Sequence, residues 1–304
     1  MTGRHDAKCD LAVILPCYNP GPEIEWTLDS LRAQTIPFRL FVTDDGSANK
    51  PDYRALLEGF DYELIELEQN VGPCLVRNPS MQRALDAGFT YIAQFDCGDW
   101  AYPERFALQC AFLADHPSVG AVGSTVEVLN ADMSHGYDFT PPTEPDAIRH
   151  RQFYVAAFKH PAIMYRASLL KKIGLYTGIY DAAEDYEMMR RVATVADLAN
   201  LPQPLLKTVE YSTGVSATRR TAQLVSRLRI QWRYRELASL HCCLGMARTL
   251  ATIALPARAA AVIRPFFHRH KPPADVSSPP DRHLAGQVFS DADGSRGSTD
   301  PARN

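Results

Sequence analysis

The chain has 304 residues, 46% of them hydrophobic, and a formal net charge of −3 at pH 7. This length and apolar content are enough for one large α/β domain with appendages. The net charge gives no sign of nucleic-acid binding. No window reaches about 18 uninterrupted apolar residues, so a transmembrane helix is not expected.

The charge is unevenly distributed along the chain. Ten Arg and one Lys lie between Tyr211 and Lys271, against a single acid, Glu236. Two interpretations stay open at this point. The basic segment is either a solvated helix face or a surface that contacts an anionic membrane or an anionic acceptor.

Cysteine usage and the amino terminus predict a cytoplasmic protein. The seven cysteines are irregularly spaced, form no C-x-x-C pair and include the adjacent Cys242 and Cys243, so we expect reduced thiols. The first ten residues are polar and run straight into a predicted strand, which is not the pattern of a signal peptide.

The first hundred residues alternate between apolar runs and helical patterns. The predicted strands are LAVIL, which ends in a Pro-Cys-Tyr-Asn-Pro turn, RLFVTDDGS, YELIELEQN and YIAQF. The predicted helices are EIEWTLDSLRAQT, YRALLEGF and PCLVRNPSMQRALDAG. This β-α-β-α-β-α-β order predicts an α/β fold with a Rossmann-like, doubly wound and mostly parallel sheet flanked by helices.

The remaining chain predicts a looser arrangement. After a helix, ERFALQCAFLADHP, and a strand, VGAVGSTVEVLN, we interpret MSHGYDFTPPTEPDAIRH as a loop. Helices follow in ASLLKKIGLY, AEDYEMMRRVATVA and TAQLVSRLRIQWRYRELASL. The apolar stretch after them is interrupted by Arg and Pro, so it either packs on the body or lies in a membrane interface.

These patterns predict three parts. Residues 1–218 form the main domain, with a nucleotide-binding half over 10–128 and an acceptor half over 129–218. Residues 219–270 form a basic and apolar helical extension. Residues 271–304 are rich in Pro, Ser, Gly and Asp and are expected to be disordered.

Polar residues end all four predicted parallel strands. These residues are Pro16–Asn19, Asp44–Asp45, Asn70–Gly72 and Asp96–Asp99. In open α/β sheets, ligands bind beyond the carboxyl ends of the strands. We therefore expect a ligand site at this edge of the sheet.

Three acidic pairs are candidates for its chemistry. Asp44 and Asp45 suit hydrogen bonds to a nucleoside, or only an Asx turn into Gly46. No G-x-G-x-x-G follows the first strand, so a dinucleotide cofactor is disfavoured. Asp96 and Asp99 suit a divalent cation that also binds a diphosphate, or only a polar turn.

The third pair, Glu184 and Asp185, begins a predicted helix. The helix dipole stabilises carboxylates there, and a carboxylate facing a cleft could also act as a general base. Arg190 lies on the same helix, where it could reach phosphate or pair with Glu187.

Taken in order, six segments resemble family 2 glycosyltransferases of the GT-A fold. They are LAVILPCYNPGPEIEWTLDSLRAQT, FVTDDGS, NVGPCLVRNPSMQRALDAG, YIAQFDCGDWAYPERFALQ, FKHPAIMYRASLLKKIGLY and AEDYEMMRR. The resemblance covers about residues 10–235, and the chain is most similar to bacterial enzymes that build cell-surface polysaccharides.

The resemblance implies a role for each matching residue. Nucleotide-binding residues would be Pro16, Tyr18, Asp44, Asp45, Arg77 and Asp96. Asp96 and Asp99 would hold Mg²⁺ or Mn²⁺. Asp185 would be the catalytic base with Glu184 beside it, and His160 and Arg190 would lie on the acceptor side.

The implied reaction is inverting transfer of a sugar from a UDP- or dTDP-sugar to a glycan or lipid-linked acceptor, at the inner face of the cytoplasmic membrane. Two departures raise an alternative, a non-catalytic partner in a membrane-associated complex. Gly98 replaces the usual second acid of the D-x-D motif, and VEYSTGVSATRR lacks a usual His. A sugar-phosphate nucleotidyltransferase ranks lower, because its Gly-rich loop is absent after the first strand.

Overall fold

The computed structural model describes residues 10–210 and 220–254. Its strands are β1 Leu11–Cys17, β2 Arg39–Asp44, β3 Tyr62–Glu66, β4 Tyr91–Gln94, β5 Trp100–Ala101, β6 Val119–Leu129, β7 His135–Phe139, β8 Met164–Arg166 and β9 Asp197–Val209. Its helices are α1 Glu23–Arg32, α2 Tyr53–Leu56, α3 Arg77–Asp86, α4 Arg105–Asp115, α5 Pro145–Gln152, α6 Ala167–Ile173, α7 Glu184–Val192, α8 Arg220–Arg233 and α9 Leu240–Ala254, with a 3-10 turn at His160–Ala162.

One sheet joins the strands in the order β3-β2-β1-β4-β8-β6-β9-β5, and β7 pairs with β6. The first four strands in this order pair in parallel, as predicted. Strand β1 is apolar and buried at every position except the half-buried Pro16, as expected for a strand covered on both faces. This parallel half brings the carboxyl ends of β1, β2 and β4 to one edge.

The other half of the sheet is mixed. Strand β8 runs antiparallel to both β4 and β6, and β5 runs antiparallel to β9, while β6 and β9 pair in parallel. The predicted α/β class is confirmed, but the parallel pairing is less extensive than expected. The antiparallel β8 carries the 3-10 turn at its start to the same edge as the end of β4, because Gln94 N–H bonds to the Ile163 carbonyl.

Each face of the sheet has its own apolar core. One core packs Leu28 of α1 and Phe106 of α4 against alternate residues of β1 such as Val13 and Leu15. The other packs Met81 of α3 with residues of α6 and α7. The predicted apolar positions of α7, which are Met188, Met189 and Val192, are all buried in this second core.

The predicted loop after β6 is wrong in two places. It contains the edge strand β7, and helix α5 starts at Pro145, where the fixed φ of proline suits the first turn. The sequence pattern missed the thirteen-residue β9 as well. Its two prolines, Pro202 and Pro204, disfavour a strand, and the ladder with β6 shifts register beside Pro204.

Helix α8 packs against α7 through Ile230, which shares a small cluster with Tyr180 and Tyr186. Of its predicted buried face, Leu224 is buried but Trp232 is exposed. The predicted tail over 271–304 lies outside the described residues. The predicted domain boundaries stay a prediction.

Five cysteines are free thiols, namely Cys17, Cys74, Cys97, Cys242 and Cys243. Cys110 is disulfide-bonded, so the prediction that every cysteine is reduced is wrong there. Among the described residues, no helix is long and apolar enough to cross a membrane.

Candidate active site

The loops after β1 and β2 are joined by Asn19. Its backbone N–H donates to Ser47 Oγ at 2.7 Å, and its side-chain oxygen accepts the N–H of Ala48 at 2.9 Å. Asn19 adopts a positive φ of 43° to make these bonds. Beside it, Tyr18 is 55% exposed and Pro16 is half-buried. Tyr18 is therefore free to stack on a flat ligand at this edge.

Asp44 ends β2 and is completely buried. Its oxygens accept hydrogen bonds from the Tyr53 hydroxyl at 2.7 Å and from the Ser47 N–H at 2.9 Å. Burial opposes ionisation, but these bonds and the charge of Lys50 outweigh it, so the pKa of Asp44 is lowered. The carboxylate is anionic and already held by the protein.

Asp45 is also held on both sides. Its Oδ1 accepts the N–H of Val71 at 2.7 Å and its Oδ2 accepts the N–H of Gly72 at 3.1 Å. The side chain is 3% exposed. Asp45 thus fixes the loop before α3 to the end of β2. The nucleotide-binding roles of Asp44 and Asp45 stay predictions.

Arg77 begins α3 and reaches the end of β4. The buried guanidinium donates to the Pro73 carbonyl at 3.1 Å and the Phe95 carbonyl at 2.9 Å, and it makes a short ion pair with Asp96. Burial opposes the charge of Asp96, but the Arg77 cation prevails and keeps the pKa of Asp96 low. Asp96 remains partly open to a ligand, because its side chain is 38% exposed.

Asp99 differs from the other strand-end acids. It is 4% exposed, and its Oδ2 is buried with no hydrogen-bond partner. Burial, and then repulsion from Asp96, raise its pKa well above the usual value. Gly98 permits this geometry with φ of 93°, and its N–H donates to Thr27 Oγ1, whose hydroxyl donates to the Asp99 carbonyl.

Arg105, the first residue of α4, is a site residue that the sequence did not reveal. Its guanidinium is fully buried and donates to the carbonyls of Gln94 at 2.9 Å and Pro161 at 2.6 Å. Burial lowers its pKa to about 9, although the charges of Asp99 and Asp96 oppose that shift. Arg105 therefore joins the end of β4 to the 3-10 turn beneath the acids.

His160, in that turn, lies close to the acidic pair. Its Nε2 shares a hydrogen bond of 2.5 Å with the Tyr176 hydroxyl. Burial and the Arg77 charge lower its pKa to about 4, while the charges of Asp96 and Asp185 act in the opposite direction. His160 is therefore neutral at pH 7, and both the acid region and α7 influence it.

Glu184 and Asp185 occupy the first turn of α7, after Ala183 in the left-handed region at φ of 62°. Burial raises the pKa of Glu184, partly offset by hydrogen bonds from Cys74 and Gly178. The Tyr186 N–H donates to Asp185 Oδ1 at 2.8 Å. Burial, and then the charge of Asp185, raise the pKa of Cys74 in the loop before α3.

Arg190 lies further along α7 and turns away from these acids. It is 4% exposed, donates to the Tyr234 carbonyl at 2.8 Å and lies over the Phe153 ring at 4.5 Å. These contacts give Arg190 a packing role between α7 and the end of α8. Its predicted place on the acceptor side stays a prediction.

The residues present fit a divalent cation at Asp96 and Asp99. The partnerless, buried Oδ2 of Asp99 is a hard oxygen ligand, and Asp96 keeps an exposed portion beside it. Among the described residues, no group of three or more His, Cys, Asp or Glu side chains could hold a metal. Any cation here takes its other ligands from water and from the bound substrate.

Comparison with known proteins settles which family this arrangement belongs to. The sequence model of Glycosyl transferase family 2 matches residues 12–174, which is more than half of the chain. The chain belongs to glycosyl transferase family 2. The match contains β1 to β4, Arg77 and both acidic pairs of the sheet edge, while α7 lies beyond it.

Two curated proteins give functional context. An uncharacterized glycosyltransferase from Haemophilus influenzae is 26% identical over 234 residues, covering 75% of this chain and 84% of that protein. The amylovoran biosynthesis glycosyltransferase AmsE of Erwinia amylovora is 25% identical over 205 residues, covering 64% of this chain and 74% of AmsE.

Solved structures of other proteins share the fold. S. aureus TarS in complex with UDP-GlcNAc aligns with a TM-score of 0.62 and 19% identity, over 79% of this chain and 71% of TarS. The Pyrobaculum calidifontis mannosyltransferase PcManGT, in complex with GDP-Man and Mn²⁺, aligns with a TM-score of 0.54 and 20% identity, over 85% of this chain and 79% of PcManGT.

Proposed function

We propose that this family 2 protein is an inverting glycosyltransferase that moves a sugar from a UDP- or dTDP-sugar to a glycan or lipid-linked acceptor. The observation that carries the proposal is the partnerless, buried carboxylate oxygen of Asp99 beside Asp96 and Arg77. A buried carboxyl oxygen without a hydrogen-bond partner is costly, so it is expected where a ligand completes it.

The donor diphosphate would bind beside Arg77, Asp96 and Asp99. Arg77 neutralises part of the acidic charge, and a divalent cation, Mg²⁺ or Mn²⁺, on Asp96 and Asp99 would stabilise the negative charge of the departing nucleoside diphosphate. Tyr18 and Pro16 would contact the base. The solved relatives TarS and PcManGT, whose complexes contain UDP-GlcNAc and GDP-Man with Mn²⁺, support this class of donor.

Asp185 is the proposed base. Its carboxylate would take the proton of the acceptor hydroxyl while that oxygen forms a bond to the anomeric carbon of the sugar. The bond from that carbon to the diphosphate breaks in the same displacement, so the configuration inverts. Glu184, whose pKa is raised by burial, would position the acceptor beside Asp185.

The test is donor turnover with Mg²⁺ or Mn²⁺, using a panel of UDP- and dTDP-sugars preselected by thermal stabilisation. Asp185→Asn is expected to lower kcat by roughly 10²- to 10⁴-fold with unchanged donor affinity. Asp181→Asn, an exposed acid four residues earlier, is the matched control. Full activity of Asp185→Asn would exclude Asp185 as the base.

The second candidate is a non-catalytic partner in a synthesis complex. The ion pair between Arg77 and Asp96, together with Gly98 in the motif, favours it because both reduce the carboxylate available to a cation. Calorimetry separates the two candidates. Binding of UDP or dTDP that does not depend on Mg²⁺ or Mn²⁺, with no turnover, would favour the partner.

The proposed biological setting is cell-surface polysaccharide synthesis at the cytoplasmic face of the membrane. AmsE, a relative named for amylovoran biosynthesis, supports the pathway class. A lipid-linked acceptor would require the enzyme to approach the bilayer. The candidate surface for that approach is in the C-terminal helices.

A further inference from the structure

Helix α9 turns its apolar side away from the protein. The exposed positions recur at helical spacing of three and four residues and carry no charge, namely Leu240, Cys243, Leu244, Ala247, Leu250, Ala251 and Ala254. We call this set the apolar face of α9. Leu240 is 70% exposed and Leu250 is 52% exposed. A helix on a soluble protein usually presents the opposite side to solvent.

The orientation of α9 is fixed by contacts on its inner side. Gly245 lies so close to the Phe153 carbonyl that an added Cβ would come within 2.1 Å of it. His241 stacks on His150 with ring centroids 4.0 Å apart, and its Nδ1 is 3.1 Å from the Tyr154 hydroxyl. A rotation of α9 that buried its leucines would therefore break these contacts with Phe153, His150 and Tyr154.

Helix α8 adds a stripe of basic and aromatic residues. Val225, Arg229, Trp232 and Arg233 are all exposed and follow helical spacing. The Arg235 guanidinium lies over the Trp232 ring at 4.4 Å. We call these five residues the basic stripe of α8. The connection to α9 contains Leu237, which is 68% exposed.

The charge on this surface is positive and largely uncompensated. Within the described residues 220–254 the single acid is Glu236, which pairs with Arg149 at 2.7 Å. Within the described part of the chain, no carboxylate forms a salt bridge with Arg229, Arg233 or Arg235. These arginines lie over the rings of Tyr180, Tyr234 and Trp232 instead.

We propose that the apolar face of α9 and the basic stripe of α8 bind together to the headgroup region of a bilayer that contains anionic lipid. Exposed leucines on one side of a helix, arginines beside them and a tryptophan at the boundary are the features of an interfacial segment. Each arginine near an anionic surface adds attraction that salt screens.

A second copy of the chain suits this surface less well. A two-fold dimer would place the basic stripe opposite itself, and like charges across an interface repel. The sequence continues after α9 with LPARAAAVIRPFFHRHK, which adds three arginines, a lysine and no acid. This continuation favours an anionic partner.

The experiment is vesicle sedimentation with the full chain, at low salt and without donor or acceptor. Wild type should bind phosphatidylcholine vesicles containing a quarter phosphatidylglycerol and should bind phosphatidylcholine alone weakly. The double variant Leu244→Glu, Leu250→Glu should lose ten-fold or more in binding. Leu108→Glu, at a leucine of α4 that is 39% exposed, is the control and should bind as wild type.

Arg229→Gln and Arg233→Gln should each weaken binding to the anionic vesicles by about five-fold, with a smaller effect at high salt. The proposal is overturned if the double variant Leu244→Glu, Leu250→Glu binds the anionic vesicles as tightly as wild type does. It is also overturned if light scattering finds that wild type is a dimer and the double variant a monomer, because the apolar face of α9 then contacts a second copy.

The inference rests on the proposed function only for its purpose, access to a lipid-linked acceptor. Turnover on a soluble acceptor separates the membrane-binding inference from the proposed function, since the double variant Leu244→Glu, Leu250→Glu should keep this turnover. Vesicle binding without any turnover would leave the surface established and the enzyme activity refuted.

Discussion

Two acidic pairs lie at the same edge of the sheet, and the protein treats them in opposite ways. Asp44 and Asp45 at the end of β2 receive hydrogen bonds from Tyr53, Ser47, Val71 and Gly72. After β4, Asp96 forms an ion pair with Arg77, whereas the Asp99 Oδ2 is buried and has no hydrogen-bond partner.

The difference indicates a division of labour. A saturated carboxylate contributes to stability, because its charge is already compensated inside the protein. An unsaturated buried carboxylate costs stability and is retained where a ligand compensates it. The same residue type, at the ends of β2 and β4 on either side of β1, therefore holds the loops at β2 and is the proposed cation ligand at β4.

The largest expected effect is from Asp99→Asn. Turnover should fall by about 10²-fold or more, because a charged ligand at the leaving group is lost. The free energy of unfolding should stay equal or rise, since Asn removes a buried carboxyl group whose ionisation is opposed by burial. Steady-state kinetics and urea denaturation measure both, with the exposed Asp115→Asn as control. A loss of stability in Asp99→Asn would contradict the contrast between the two acidic pairs.

Asp45→Ala should show the reverse pattern. The N–H groups of Val71 and Gly72 would lose a charged acceptor, at a cost of roughly 3 kcal/mol in the free energy of unfolding. Asp45→Asn keeps one acceptor oxygen and should lie between this variant and wild type. Urea denaturation is the measurement, and a stability equal to wild type for Asp45→Ala would contradict the saturated role.

Acidification should destabilise the protein through His160. Its folded pKa of about 4 is below the unfolded value, so the unfolded state takes up the proton first as pH falls. The resulting loss between pH 7 and pH 5 is about 2 kcal/mol, most of it below the unfolded pKa of about 6.5. Thermal unfolding of wild type and His160→Gln at both pH values tests this, and equal pH sensitivity of the two proteins would refute it.

The smallest expected effect is from Tyr53→Phe. Removing the hydroxyl that donates to Asp44 should cost about 1 kcal/mol of stability. Donor affinity, measured by calorimetry with UDP and dTDP, should change less than two-fold if Asp44 acts mainly as a support. A large loss of affinity with intact stability would instead make Asp44 a nucleotide contact.

The sequence was informative where local pattern determines structure. Apolar runs ending in polar residues located β1, β2 and β4, and the rule for parallel strands brought their ends together. The sequence pattern missed strand β9, because its two prolines argue against a strand in a ladder. In the structure, the ladder with β6 shifts register beside Pro204 and so accommodates them. Local periodicity does not reveal pairing with a strand that is distant in the sequence.

Arg105 shows the same limit within the site. From sequence alone, an arginine at the start of a helix is expected at the surface. The Pro161 carbonyl, which accepts its hydrogen bond, is fifty-six positions away. Asp44 and Asp99 were equally recognisable as acids. The donors around them separate a held carboxylate from an open one. The Tyr53 hydroxyl donates to Asp44, whereas the Gly98 N–H donates to Thr27 and not to the Asp99 carboxylate.

The turn at Gly98 also limits how this site can be redesigned. A φ of 93° is unfavourable for any residue with a side chain, and a Cβ there would meet the side chain of Glu23 at 3.4 Å. Installing the usual acid with Gly98→Asp would therefore twist the peptide that sets Asp99, exchanging one carboxylate for another instead of adding one. Stronger cation binding in this scaffold has to come from a residue on a neighbouring loop.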